Sequence, residues 1–488
     1  MADNLASFKV FCQGGLNTSR DVLSQGETQP GSATSLINYE PAVTGGYRKI
    51  NGFSNDFGTV TGTGSVLGVC VVNGINDGIL ACRTPSSGNN YLHKWNNSTS
   101  SWDAITTSGS PTMSGVTKVR FTKYNFGSPK VILTDGVNPA ATYDGSTYTQ
   151  ITHANAPDDP KLSALFQNHM FLAGDPNENT NLHFSAPLAE TDFSPANGAG
   201  VINVGFPIVA IKTFRDALFI FGSNNIRKLI GNNLSNFVLE TVTDDLGCLA
   251  TDSVIEIGGD LLFLSQDGLR PISGTDKIGD VNLETVSKDI QSIFTDVVFD
   301  IDLEGLNAVV IRQKTQFRYF FGAADSQGII GGFRQTPNGL QFEYGQMLGI
   351  TATCADSGYI GQNEFVLHGD SSGKVYRQEQ GNSFAGTAIF SLFQTPFFHM
   401  QDPEQRKVFY TVATYLRSEG DNEIVMSAVY DYEDVDTLNP TNFNLSTAGA
   451  AAFFNEATYN STAIFDGNPS PVQRTNISGS GKSASFKF

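Results

Sequence analysis

The chain has 488 residues, 50 of them glycine and 36 phenylalanine; only 16% are charged, and the formal net charge is −18. Such a length allows a large core, divided among two to four domains or gathered into one large β architecture. The acidic balance excludes a protein that holds nucleic acid by neutralising phosphates, which needs a surplus of Lys and Arg, and no apolar run reaches the length of a membrane span.

The first residues, MADNLASFKV, carry neither a basic n-region nor an apolar h-region. The expectation is a soluble protein made in a cytoplasm. Cys12, Cys70, Cys82, Cys248 and Cys354 are odd in number and form no CxxC pair, so neither a zinc site nor a disulfide framework is signalled and buried free thiols are expected. Gly62, Gly64 and Gly68 are spaced one residue too wide for a dinucleotide fingerprint and lack a βαβ setting. They read as loop glycines.

Short alternating segments broken by Gly, Asn, Asp and Ser recur along the chain, the mark of an almost entirely β fold. Residues 91–106 and 140–152 share a plan: an aromatic (Trp95, Tyr143), a polar turn, a second aromatic (Trp102, Tyr148), then Ile-Thr (Ile105-Thr106, Ile151-Thr152). Ile105 and Ile151 lie about 46 residues apart, near the period of propeller blades. The stretch from Ile208 to Gly231 predicts three strands with turns at Arg215-Asp216 and Ser223-Asn224-Asn225. From Ser253 to Gly274 three more follow, turning at Gly258-Gly259 and Asp267-Gly268, dipeptides suited to positive φ. Phe365 to Glu379 repeats the theme. Such meanders stack radially into a β-propeller, which leaves only short, protected edges and closes when one chain end completes the blade begun by the other.

One helix is expected where Ile290, Ile293, Phe294, Val297, Val298 and Ile301 recur at helical spacing. Directly after it, Asp300, Asp302, Glu304 and Gly305 imitate the start of an EF-hand loop, but the bidentate Glu required at position 12 is Ile311; the end of an acidic helix is the reading. From about Gly381 the character changes to a mixed-charge stretch, an acidic run from Asp431 to Asp436 and a Gly/Ala/Asn/Ser-rich segment. The chain ends GSGKSASFKF. Gly481-Lys482-Ser483 imitate a phosphate-binding loop, but Asn476 stands where its first glycine belongs and only five residues follow Ser483, too few for the helix it needs. Alternation instead predicts a half-buried strand, with Ala484, Phe486 and Phe488 inward and Ser483, Ser485 and Lys487 on the other side; Lys482, in the turn before it, is expected to face solvent.

The opening resembles that of the β-propeller tail proteins of short-tailed bacteriophages, the tail nozzle or packaged-DNA stabilisation proteins. The resemblance is carried by Gly15-Leu16-Asn17, Asn38 and the run Gly45-Gly46-Tyr47-Arg48-Lys49-Ile50-Asn51-Gly52-Phe53, and continues through Leu165 to Pro187, Asp245 to Leu269 and Thr395 to Val412. At one point the chain departs from the family pattern: His169-Met170 replace the basic residue that precedes FLAG. The resemblance implies a structural virion protein, not an enzyme, forming a homo-oligomeric ring, typically a hexamer, below the head-to-tail adaptor protein. It would meet tail plug, needle or fibre proteins and provide the channel for genome retention and ejection, with transient, non-specific passage of double-stranded DNA. The location implied is the virion, in its short tail, after assembly in the host cytoplasm. Six copies of a −18 chain carry −108 formal charges, and a channel lined by part of that would let phosphates slide without sticking.

The expected organisation is an N-terminal arm and first strands at 1–57, a propeller core with insertions at 58–380, and a C-terminal β subdomain with a closing strand at 381–488. At most one or two short helices are expected. No catalytic, cofactor-binding or metal-ligating residue is assigned: His93, His153, His169, His183, His368 and His399 are scattered without ligand spacing, and no Ser/His/Asp set or acid pair stands out. The competing reading is a phage propeller protein that binds or cleaves glycans, which would need two carboxylates roughly 5 to 9.5 Å apart in an axial pocket flanked by aromatics. A host protein-interaction scaffold is disfavoured by the lack of a regular WD or kelch signature.

Overall fold

The computed structural model describes residues 6–42, 45–87, 91–108, 115–275, 285–300, 303–322, 326–336, 339–400, 402–417, 423–446, 451–452, 464–465 and 472–488. The chain forms two compact units: 51–333 with 347–388, and 1–50 with 334–346 and 389–488.

The first unit is a β-propeller. Among the described residues, seven antiparallel sheets follow one another: blade 1 at 63–104, blade 2 at 120–150, blade 3 at 162–203, blade 4 at 210–243, blade 5 at 255–271, blade 6 from 307 and blade 7 at 354–378. Each begins with an inner strand: Thr63–Val71, Arg120–Asn125, Leu162–Phe166, Ala210–Phe214, Ile255–Ile257, Asn307–Ile311 and Cys354–Ile360. Neighbouring inner strands pack on one another from blade 1 to blade 4 and from blade 5 to blade 7, and that of blade 7 packs on that of blade 1. Blades 4 and 5 share a core that includes Phe214, Phe219, Phe221, Leu261 and Phe263. The two aromatic repeats occupy equivalent places, since Trp95 and Trp102 pair across the third and fourth strands of blade 1, and Tyr143 and Tyr148 across those of blade 2.

The ring is closed by the N-terminal side of the chain. Phe53 and Ser54 pair antiparallel with Gln378 and Arg377, adding a fourth strand to blade 7. Phe53 then stacks on Phe384 and meets His368 edge-on, both at 4.9 Å between ring centres. The expected turns are present: Arg215, Gly258, Gly259 and Gly268 all take positive φ. The expected helix is Gln291–Asp300, entered through a 3-10 turn, with Ile290 and Phe294 buried. The side chains of Val297 and Val298, and Ile301 altogether, lie outside the described residues. A second helix, Val22–Thr28, is capped by Asp21, whose Oδ1 accepts from Leu23 N at 3.0 Å; Ile272–Thr275 forms only a single turn.

The second unit joins the N-terminal arm to the C-terminal region. Strand Ser35–Ile37 pairs with Gln346 on one side and Leu392–Gln394 on the other. The C-terminal strand Ala484–Lys487 sits mid-sheet, paired to Gln394 and along Ser427 to Tyr430, and Phe443–Ser446 follows outward. It does not close the propeller. It is also not half-buried: Ala484 and Phe486 lie in the core, but Ser483 and Ser485 are equally enclosed. Ser485 manages this by donating its hydroxyl to Thr395 O at 2.7 Å. Lys482, in the turn before the strand, is exposed as expected.

Two glycines of the opening motif are required sterically. A Cβ on Gly15 would come within 2.7 Å of Tyr344 N, and one on Gly52 within 1.9 Å of Ser383 O.

Candidate functional site

In the propeller the inner strands run side by side in one direction, so position along a strand is depth along the axis. Where these strands begin, Lys118 and Arg120 of blade 2 reach across to Asp252, which precedes the inner strand of blade 5. Arg120 donates from Nε and a terminal nitrogen to the two Asp252 oxygens, both at 2.8 Å, and Lys118 Nζ lies 2.7 Å from Oδ2. Lys118 also donates to the carbonyls of Glu304 and Leu306, and Lys161 at the head of blade 3 pairs with the Glu304 carboxylate. Burial alone would raise the Asp252 carboxyl, but Lys118 and Arg120 hold it well below the carboxylate range. Ion pairs from blades 2, 3, 5 and 6 thus cross the axis at this end.

A second charged layer lies further along. Lys123 of blade 2 pairs with Asp356 of blade 7 at 2.8 Å, and the same carboxylate accepts from Val71 N of blade 1 at 2.8 Å. Arg312, following the inner strand of blade 6, donates to Ser357 Oγ at 3.0 Å and lies 3.7 Å from Glu364. Lys212 of blade 4, exposed on its strand, is close enough to feel Lys123, Asp356, Glu256 and Arg312. Only at the axis can side chains of blades 2, 4, 5, 6 and 7 converge in this way.

A third cluster sits beside the closing strand. Arg318, almost wholly buried, pairs with Glu379 and donates to Gln378 Oε1 at 2.7 Å. Lys314 also pairs with Glu379, and Asn51, two residues before the closing strand, donates to its Oε2 at 3.1 Å. Burial opposes ionisation of Glu379, yet the two cations lower its pKa. Gln378 Nε2 meets His368 Nδ1 at 3.1 Å, and burial pushes the His368 pKa down to about 3, so the ring is neutral. This cluster clasps blade 6, blade 7 and the closing segment.

The other residues singled out in the sequence lie apart. His93 and His169 are buried against the Tyr91 and Ser185 carbonyls, His183 meets Glu178, His153 faces Asp192, and His399 meets Tyr432. Met170, beside His169, is buried in blade 3. Of the EF-hand imitation, residues 301–302 and the Asp300 side chain lie outside the described residues, and Glu304 is taken by Lys161. All five cysteines are free, and burial raises the thiols of Cys70 and Cys354 to about 12. The axial clusters were not read from the sequence because their members stand up to 285 residues apart; a charged residue interrupting an otherwise apolar inner strand, as Lys212 does, is the signal available.

Fold and axial arrangement define a β-propeller protein. No family model matches the chain, and no curated protein does. Among solved structures it is similar to an ancestral GH74 enzyme, at 10% identity and a TM-score of 0.41, over 76% of this chain and 53% of the enzyme. It thus spans about half the length of that relative. It is also similar to Hsv2 of Kluyveromyces lactis, in two structures at 9% and 10% identity with TM-scores of 0.32 and 0.31, over 56% and 58% of this chain and 82% and 99% of the yeast chain.

Proposed function

We propose that this chain is a structural, ring-forming component of a short bacteriophage tail, of the tail nozzle type, and not an enzyme. The ring, typically of six copies, would sit below the head-to-tail adaptor in the virion and carry tail plug, needle or fibre proteins. The observation that carries this reading is the apolar surface of the second unit. Phe11 and Tyr415 are 66% and 68% exposed and share Lys9, whose ammonium sits over both rings, and Tyr410 and Phe390 are also about 60% exposed. Phe11 and Tyr415, brought together by Lys9, form an exposed aromatic pair of the kind that a surface shared between copies would bury. The sequence resemblance, spread over four stretches of the chain, supports the same reading.

The propeller axis argues for where DNA would pass. The Lys118 and Arg120 ion pairs with Asp252, and the hydrogen bond from Lys118 to the Leu306 carbonyl leading into blade 6, cross it, so a duplex would travel through a channel formed between copies. For glycan cleavage a free acid and base would be needed there, but Asp252 and Asp356 are each held by cations. That suits structural ion pairs better than proton transfer.

The test is to measure the mass of the purified chain alone and with head-to-tail connector complexes, and to image both by negative stain. Rings on the connector are expected. A protein that stays monomeric, joins no connector and hydrolyses capsular polysaccharide overturns the proposal.

A further inference from the structure

Blade 3 carries a recess that the axial clusters and the ring reading leave unused. It lies between the connection from blade 2 and the outer strands of blade 3, with a volume of about 610 Å³, in the range that holds a small-molecule ligand. Its polar side presents Asp158, Asn177, Glu178, Asn181 and His183, and its apolar side Pro157, Pro195 and Val201. The loop is held in shape from within: buried Asp175 accepts from Asp159 N at 3.0 Å and from Asn177 N at 2.8 Å. His183 is more than nine-tenths buried; its Nε2 meets Glu178 Oε2 at 2.8 Å, and its Nδ1 finds no partner among the described residues.

The lining chemistry selects the ligand. Carboxylates without a lining Lys or Arg repel anions. An apolar ligand would strip water from the amides and carboxylates and return nothing. Among the described residues no three His, Cys, Asp or Glu side chains come together as a metal ion would need, and the Asn181 amide is already engaged, donating to Glu178 Oε2 at 3.3 Å and accepting from Asn203 at 2.9 Å. A group of vicinal hydroxyls both donates and accepts, so it can serve carboxylates and amides together, while the C–H face of the same molecule packs on Pro157, Pro195 and Val201. We propose that this recess is a saccharide-binding site, with Asp158, Asn177 and Glu178 reading hydroxyls, His183 held by Glu178 so that the imidazole is fixed, and the proline and valine wall taking the ring face. It stands independently of the ring reading.

The experiment uses the full chain. Glucose, galactose, mannose, rhamnose and N-acetylglucosamine, with short oligosaccharides of each, are screened by saturation-transfer NMR, with spermidine as a cationic probe. Val201 is half exposed on a strand, so Val201→Trp fills the recess without entering the core, and Asn177→Ala removes one reading group on an exposed loop. The expected result is binding of at least one saccharide, weakened about tenfold or more by Val201→Trp and less by Asn177→Ala, with the melting temperature of both variants at the parent value. Absence of saccharide binding across the panel overturns the proposal. So does binding that Val201→Trp leaves unchanged, or spermidine binding that displaces the sugar. If Val201→Trp melts early, Asn177→Ala carries the test, and sugar binding unaltered by it overturns the assignment.

Discussion

At the scale of single residues, the imitation of a phosphate loop at the C-terminus has a physical explanation. The amides of Lys482 and Ser483 do bind an anion, but it is the chain's own: Asp431 Oδ1 accepts from both, at 2.5 and 3.1 Å. Asp431, Tyr432 and Glu433 all take positive φ, at 49°, 60° and 63°, a strain of about 1 to 2 kcal/mol per residue for L side chains. The capping bonds, the Tyr432 hydroxyl on His399 at 2.7 Å and the Tyr432 ring on Phe397 at 4.6 Å hold the turn in place. Asp431→Ala orphans two N–H groups, one of them part-buried, and should lower stability by about 1 to 3 kcal/mol, read as the shift of the urea midpoint. An unchanged midpoint would show that water replaces the carboxylate. Glu379 should matter more. Glu379→Ala leaves Arg318 buried without its carboxylate, which typically costs about 3 to 5 kcal/mol; a loss below about 1 kcal/mol in the same measurement would remove the clasp role.

At the scale of elements, the last strand is a fastening inside the second unit. Ala484–Lys487 is hydrogen-bonded on both sides, to Gln394 and to Ser427–Tyr430, and places Ala484 and Phe486 in the core with Met426, Tyr430 and Leu445. Removing 483–488 therefore splits a sheet and empties a core, so the truncated chain should lose the cooperative unfolding of this unit and assemble no rings. A truncation that unfolds as the parent does sinks this prediction. The strand was legible in the sequence because period-2 alternation reports on local backbone; its two-sided burial was not, because Ser483 and Ser485 look solvent-facing until Thr395 O is beside Ser485. The blade hairpins were legible for the same local reason, since Gly258-Gly259 and Asp267-Gly268 dictate where the chain reverses. Which strand closes the ring was not legible: Phe53 announces only a β segment, and its partner Gln378 lies more than 300 residues on. The axial charges share that limit. Lys118, Asp252 and Glu304 have no local pattern in common, and only ring closure brings them together.

At the scale of the whole molecule, the clusters in the propeller make stability depend on pH in one direction. His368 is neutral in the folded chain, with its pKa pushed from the ordinary 6.5 to about 3. Between those values the unfolded chain binds a proton that the folded chain refuses, so stability falls as pH drops below about 6.5, by an amount on the order of 5 kcal/mol once the window is crossed. Glu379 and Asp252 have pKa values lowered by their cations. Their contribution is present above the ordinary carboxylate range and is lost as pH falls through it, so it adds to the same trend. The urea midpoint should accordingly be level near neutrality, begin to fall near pH 6.5 and steepen below about pH 4.5. His368→Gln removes its share of the first step. Gln cannot charge, and its amide can still meet Gln378, so the variant should lose less stability between pH 7 and 5 than the parent, the remainder of that limb coming from buried His93, whose pKa desolvation also lowers. If the parent midpoint is flat between pH 7 and 5, or if His368→Gln loses as much there as the parent, the buried neutral His368 is not what sets the upper limb.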